Sequence, residues 1–185
     1  MKRVWCFVEK KILGKEEIDK IITEYAEKIL HDIGDIDNFA IIGIHTRGVE
    51  LSERIRLRME TLTGKAIKHG TLDISFYRDD LATMGKLPVL KETLIEFNIN
   101  KKNILLVDDV LFTGRTTKAA LETLMAFGRP YAIKLFALID RGGRELPIQP
   151  DYCGYRVEAG TDDKVRVKLS GIDKVEDAVY IVSGK

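Results

Sequence analysis

Between residues 15 and 32 the apolar positions recur at helical spacing: Ile18, Ile21, Ile22, Tyr25, Ala26, Ile29 and Leu30 form one stripe. Asp19, Lys20, Thr23, Glu24, Glu27 and Lys28 lie opposite as a solvated face, and Gly34 is suited to end the helix. The pattern then changes. Phe39 to Ile44 is a continuous apolar run, the mark of a strand buried on both faces, followed by the polar turn His45-Thr46-Arg47-Gly48 and a helix to about Thr63. Leu72 to Phe76 alternates as a strand and Leu90 to Phe97 reads as another, with an aperiodic loop over about 81–89 carrying Gly85 and Pro88. Ile104 to Val107 predicts a further buried strand, ending at Asp108-Asp109. An amphipathic helix follows, with Ala119, Ala120, Leu121, Leu124, Met125 and Phe127 on its apolar side and Gly128 and Pro130 as its stop. Tyr131 to Ile139 is the next strand, and two β-prone runs around 165–169 and 178–182 complete an accessory edge or hood. Buried strands alternating with helices predict an α/β fold around a mostly parallel sheet, in a single domain over 1–185.

Composition narrows the class. With 185 residues, 45% of them hydrophobic and 32% charged, the chain is large enough for a real core and reads as soluble and globular. No apolar run approaches a membrane span, and the N-terminus lacks a signal-peptide pattern. Cys6 and Cys153 form no C-x-x-C and read as small hydrophobes, so a reducing cytoplasm is the expected location. The three histidines share no metal-ligand spacing. A formal net charge of +1 selects neither for nor against nucleic acid, so an anion site has to be local.

The chemistry concentrates in residues 103–117, NILLVDDVLFTGRTT. Strand, acid pair, Gly- and Thr-rich turn and helix follow one another, and in an open α/β sheet such a junction is where ligands sit. Backbone N–H groups and the positive helix end favour a phosphate over Thr113, Gly114, Arg115, Thr116 and Thr117. A phosphate alone does not call for two carboxylates, whereas a sugar phosphate does, because carboxylates accept strong hydrogen bonds from vicinal hydroxyls. The plain alternative is a buried strand ending in a solvated acidic turn. A phosphate loop of the G-x-x-x-x-G-K-[ST] type and a G-x-G-x-x-G dinucleotide turn are both absent.

Residues 103–117 closely resemble the 5-phosphoribosyl-1-pyrophosphate (PRPP) motif of type I phosphoribosyltransferases. GIHTRG at 43–48, LDISFYRDDL at 72–81 and DRGGRELPI at 140–148 extend the resemblance to the PyrR-type pyrimidine-operon attenuator/uracil phosphoribosyltransferases, over roughly Ile18 to Lys168. The resemblance implies a twisted, mostly parallel sheet flanked by helices, with a small hood and a flexible β-hairpin loop acting as a lid. It implies uracil and PRPP as substrates, UMP and pyrophosphate as products, and Mg²⁺ held mainly through PRPP. It also implies a homodimer or larger homo-oligomer, and a pyrimidine-operon leader RNA as a second partner. Asp108, Asp109 and Arg78 are the catalytic residues it suggests. Thr46, Arg47 and Gly48 join the acid pair and 113–117 in binding PRPP, with fixing its loop as the other role open to Arg47. Phe112, Asp140, Arg141 and Gly142 would bind the base. In the related 6-oxopurine enzymes the position of Phe112 is an aspartate, which favours a pyrimidine here.

The chain departs from the family pattern at Gly143, where a histidine is usual, at Gln149, where an arginine is usual, and over Tyr155 to Ala159. These positions lie near the base loop or partner surfaces. Glu24 and Glu27 stand where RNA-binding relatives have a basic helix face, so weaker RNA binding is expected. Two alternatives stay open beside the uracil enzyme: an RNA-binding sensor of UMP or PRPP with little catalysis, and a transferase for another base.

Overall fold

The computed structural model describes residues 7–75, 92–160 and 163–184. Strand β1 (Phe7–Leu13) leads into α1 (Lys15–Ile33), which starts where the Glu17 carboxylate accepts the Gly14 N–H at 2.8 Å. There follow β2 (Phe39–Ile44), α2 (Arg47–Thr63), β3 (Lys68–Leu72), β4 (Asn103–Leu111), α3 (Arg115–Met125), β5 (Ala132–Asp140) and β6 (Tyr152–Arg156). The chain ends in β7 (Lys164–Lys168), the short α4 (Ser170–Asp173) and β8 (Ala178–Gly184).

Five strands form one parallel sheet in the order β3-β2-β4-β5-β6. Alternation along the strands divides the core. Ile41, Leu105, Val107, Phe136 and Leu138 face the helices α1 and α2 through Ile18, Ile22, Ile29, Leu51, Ile55 and Met59. Ala40, Ile42, Ile104 and Leu106 face α3 through Ala119, Ala120 and Leu124. A sheet covered on both faces explains why its central strands read as unbroken apolar runs, and each buried Ile or Leu contributes roughly 1.5–3 kcal/mol. Strand order reverses between β2 and β4, so the crevice for a ligand opens at their carboxyl ends.

A second, three-stranded antiparallel sheet, β1-β8-β7, forms the hood. Its Leu13, Val167, Leu169 and Val179 join the core on the α1/α2 side. Two ion pairs fasten it to α2. Arg47 grips Asp173 of α4 bidentately (Nε–Oδ2 3.1 Å, Nη2–Oδ1 2.6 Å). Arg54 pairs with Asp177, which is 1% exposed and also accepts the Ser170 N–H at 2.7 Å.

Several boundaries differ from the sequence reading. β4 continues through the acid pair to Leu111, because β5 offers ladder partners as far as Leu111↔Asp140. β3 starts at Lys68 and stops at Leu72 instead of spanning 72–76, since its partner β2 ends at Ile44. The Asp73 carboxylate then accepts the Ser75 N–H at 2.8 Å, turning the chain away. In the segment read as a strand over 90–97, the described part pairs only through an isolated bridge, Thr71↔Leu94. The loop expected to act as a lid lies outside the described residues. α3 closes at Met125, leaving Met125 and Phe127 exposed at 60% and 46%. β1, β6 and α4 are additions to the sequence reading.

Candidate active site

Three loops leave the carboxyl ends of the neighbouring strands β2, β4 and β5, and together they carry every described residue of the sequence-derived site. The first follows β2. The His45–Thr46 peptide is cis, and α2 begins directly at Arg47. Gly48 lies so close to β4 that a Cβ there would overlap the Val107 carbonyl and come within 3.3 Å of the Asp108 Cα. This glycine therefore sets how near the Thr46–Gly48 turn approaches the acid pair. Arg47 reaches away to Asp173, and this bond holds the Asp173 carboxyl below the usual range. Its charge still acts on Asp109.

The second loop begins within β4. Asp108 is 5% exposed, and its Oδ1 accepts the Asp109 N–H at 2.9 Å. Asp109 is half-buried. Burial pushes its carboxyl above the usual range, offset in part by a hydrogen bond with Asp108 and by the charge of Arg47. A carboxyl perturbed in this way at the mouth of a cleft is a common property of functional sites. Beyond Phe112 the chain turns at Gly114, whose φ of 90° belongs to the left-handed region open to glycine. The Thr113 hydroxyl accepts the Arg115 N–H at 3.3 Å and the Gly114 carbonyl accepts the Lys118 N–H at 2.9 Å. Thr117 is 2% exposed, and its hydroxyl oxygen finds no hydrogen-bond partner among the described residues. A buried hydroxyl in the first turn of an eleven-residue helix, beside the N–H groups that turn leaves unpaired, suits an anion.

The third loop follows β5. Asp140 is 6% exposed and accepts the Gly142 N–H at 2.9 Å. The Arg141 guanidinium lies 3.8 Å above the centre of the Phe112 ring and donates to the Gly160 carbonyl at 3.2 Å. Gly142 and Gly143 both have positive φ, 72° and 68°, and a Cβ on Gly143 would stand 2.5 Å from the Phe112 ring. The glycine at 143 thus leaves room for the phenyl ring where a histidine side chain would meet it. This loop is stitched to the second, the Thr113 carbonyl accepting the Glu145 and Leu146 N–H groups at 3.0 and 3.1 Å and Glu145 pairing with Arg115 at 2.7 Å.

Thr46, Arg47, Gly48, Asp108, Asp109, Phe112, residues 113–117, Asp140, Arg141 and Gly142 accordingly gather at one end of the sheet. Arg78 lies outside the described residues. Asp173 and Arg144 belong to the same construction and escaped the sequence reading as site residues, because an arginine or aspartate in a polar segment looks the same whether solvated or buried; Gly143, noted in the sequence as a departure near the base loop, lies against Phe112. Among the described residues no three His, Cys, Asp or Glu side chains gather as a metal site, and no helix is long and apolar enough to cross a membrane.

Known proteins resemble this chain in sequence and in fold. The model of the phosphoribosyl transferase domain family matches residues 10–173. A curated relative named bifunctional protein PyrR, from a Picosynechococcus species, is 45% identical over 171 residues, covering 92% of this chain and 96% of the relative. The PyrR of Acetivibrio thermocellus is 46% identical over 164 residues, covering 89% of each chain. Among solved structures, a Trypanosoma cruzi hypoxanthine phosphoribosyl transferase superposes with a TM-score of 0.72 at 19% identity, covering 98% of this chain and 94% of that one. A Staphylococcus aureus hypoxanthine phosphoribosyltransferase gives 0.67 at 20% identity, over 95% and 92%. At such identities the structural likeness concerns the fold alone.

Proposed function

The chain belongs to the phosphoribosyl transferase family, in its PyrR branch, and from that membership we propose that it is a uracil phosphoribosyltransferase converting uracil and PRPP to UMP and pyrophosphate. The observation that carries this reading is the acid pair Asp108-Asp109 at the switch point of the sheet, flanked by the Thr46–Gly48 turn and the first turn of α3. Thr113 to Thr117 would grip the 5-phosphate, with the buried Thr117 hydroxyl finding its partner there. Thr46, Arg47 and Gly48 would receive the pyrophosphate. Remote binding energy of this kind is converted into orientation of the anomeric carbon.

A nitrogen of uracil displaces pyrophosphate from that carbon through a transition state with oxocarbenium character. Asp108 and Asp109 would hold the ribose hydroxyls, and their carboxylates favour positive charge developing on the ring. Phe112, Asp140, Arg141 and Gly142 would form the base site, with the guanidinium-capped phenyl ring as one wall. Arg78, outside the described residues, stays in the proposed catalytic set on the family resemblance. The sparse donor set fits Mg²⁺, which keeps waters and borrows phosphate oxygens in place of an all-protein cage, with Asp108 and Asp109 as the carboxylates able to hold it beside PRPP. When bound, the ion neutralises charge on the departing pyrophosphate.

Regulation of pyrimidine genes through leader RNA is the second role proposed, on the relatives' description as bifunctional. A cytoplasmic homodimer or larger assembly is the proposed setting. The deciding experiment is PRPP-dependent nucleotide formation with uracil, cytosine, hypoxanthine, guanine and Mg²⁺. UMP is expected as the dominant product, and faster turnover with a purine would overturn the assignment.

A further inference from the structure

We propose that Arg144 is the positioning residue that fixes the base loop against the phosphate loop, a role that rests on the transferase reading above. Residues 141–151 contain no helix or strand, so something other than a backbone ladder has to hold them. The Arg144 side chain is only 12% exposed and engages with all three guanidinium nitrogens. Nε donates to the Ile148 carbonyl at 2.8 Å. Nη1 donates to the carbonyls of Phe112 at 2.9 Å and Gly142 at 3.2 Å. Nη2 donates to Asp140 Oδ1 at 2.7 Å and to Gln149 Oε1 at 3.5 Å.

One planar cation therefore ties the end of β4, the end of β5 and both arms of the loop. Two features of this chain cooperate with it. Gln149 supplies an acceptor, whereas the arginine usual at that position in the family would bring a second cation against the first. The left-handed Gly142 and Gly143 fold the loop so that the Gly142 carbonyl meets Nη1. Asp140 is buried, and Arg156, its other cationic neighbour, stands 3.9 Å away and is 80% exposed, so Arg144 is the principal counter-charge. Phe112 runs directly into Thr113, so a grip on its carbonyl sets the spacing between base and 5-phosphate sites, hence the alignment of the attacking nitrogen. Lysine, a compact point charge, cannot reproduce the fork.

The test uses full-length R144K and R144M with three readouts: steady-state kinetics with uracil, calorimetric PRPP binding, and hydrogen exchange of the 141–149 amides in the ligand-free protein. Expected are a rise in uracil KM between about tenfold and a hundredfold, PRPP affinity within about twofold of wild type, and faster exchange confined to 141–149, with 113–117 of the phosphate loop unchanged. Unchanged uracil KM and exchange in R144M, or PRPP affinity falling in step with KM, would overturn the proposal. If R144M does not fold, R144K decides by the same readouts. A wild-type protein that makes no UMP counts against the transferase reading, and the exchange pattern then decides the role of Arg144 alone.

Discussion

Asp108 and Asp109 are adjacent in sequence but occupy different environments. Asp108 is buried on the ladder side and binds the backbone of its neighbour, whereas Asp109 is half-buried with its carboxyl pushed up by burial. Replacing both by Asn keeps the shape and the side-chain acceptor for the backbone N–H at position 109, so the fold is expected to persist. The transition state would lose its electrostatic partner, and the barrier is expected to rise by about 2–4 kcal/mol. Circular dichroism and single-turnover rates check this; a folded double variant with near-normal turnover removes the ribose-cation role. Gly143 illustrates the same scale from the other side. Its departure from the family's histidine is intelligible once the Phe112 ring is seen 2.5 Å from where a Cβ would stand.

Among the elements, α2 links site and hood. Its first residue, Arg47, holds Asp173, and two turns on Arg54 holds Asp177 and Glu50. Burial alone would raise the Asp177 carboxyl, but Arg54 and the Ser170 N–H outweigh it and bring it below the usual range. A carboxylate whose folded-state pKa is depressed contributes stability above its unfolded value of about 3.9, lost as pH falls through the lower folded value. D177N leaves Arg54 with Glu50 as its one carboxylate partner among those named and is expected to cost roughly 2 kcal/mol at neutral pH. Urea denaturation at pH 7 and near pH ~3 should show that deficit shrinking at the acid end. A deficit independent of pH would mean that packing, not the charge pair, fastens the hood.

For the whole molecule, the distribution of charge bears on the second function. Lys15 pairs with Asp19 and Lys20 with Glu24 along α1, while Arg54 and Arg56 of α2 are committed to Glu50, Asp177, Glu53 and Glu60. Of the arginines Arg54, Arg56 and Arg58 along α2, two are thus neutralised. Arg144, whose neighbour Gln149 adds no charge, is turned inward. Weak binding of pyrimidine-gene leader RNA with a shallow salt dependence is therefore expected, since affinity for phosphate backbones scales with the cations free to replace counterions. Titration with UMP at several salt concentrations checks this, and nanomolar, UMP-strengthened, sequence-specific binding would place Glu24 and Glu27 outside the footprint.

The sequence by itself determined the features that live in short windows. The α1 stripe from Ile18 to Leu30, the apolar runs of β2 and β4, and the turn chemistry of Thr113-Gly114 follow from side-chain periodicity and local φ preferences. So did the family, because its motifs are contiguous. The tertiary structure decided whatever depends on partners distant in the chain. β4 continues past its acids because β5 lies alongside it, and β3 ends because β2 does. β1 is a strand because β8, at the far end of the sequence, pairs with it. The motif around Arg47 marks that residue in the sequence, whereas Arg144 looks like any solvated arginine, and the partner of neither is legible there. Only folding brings Asp173 to the first and a ring of loop carbonyls to the second, because desolvation and counter-charge arise from packing and have no local pattern.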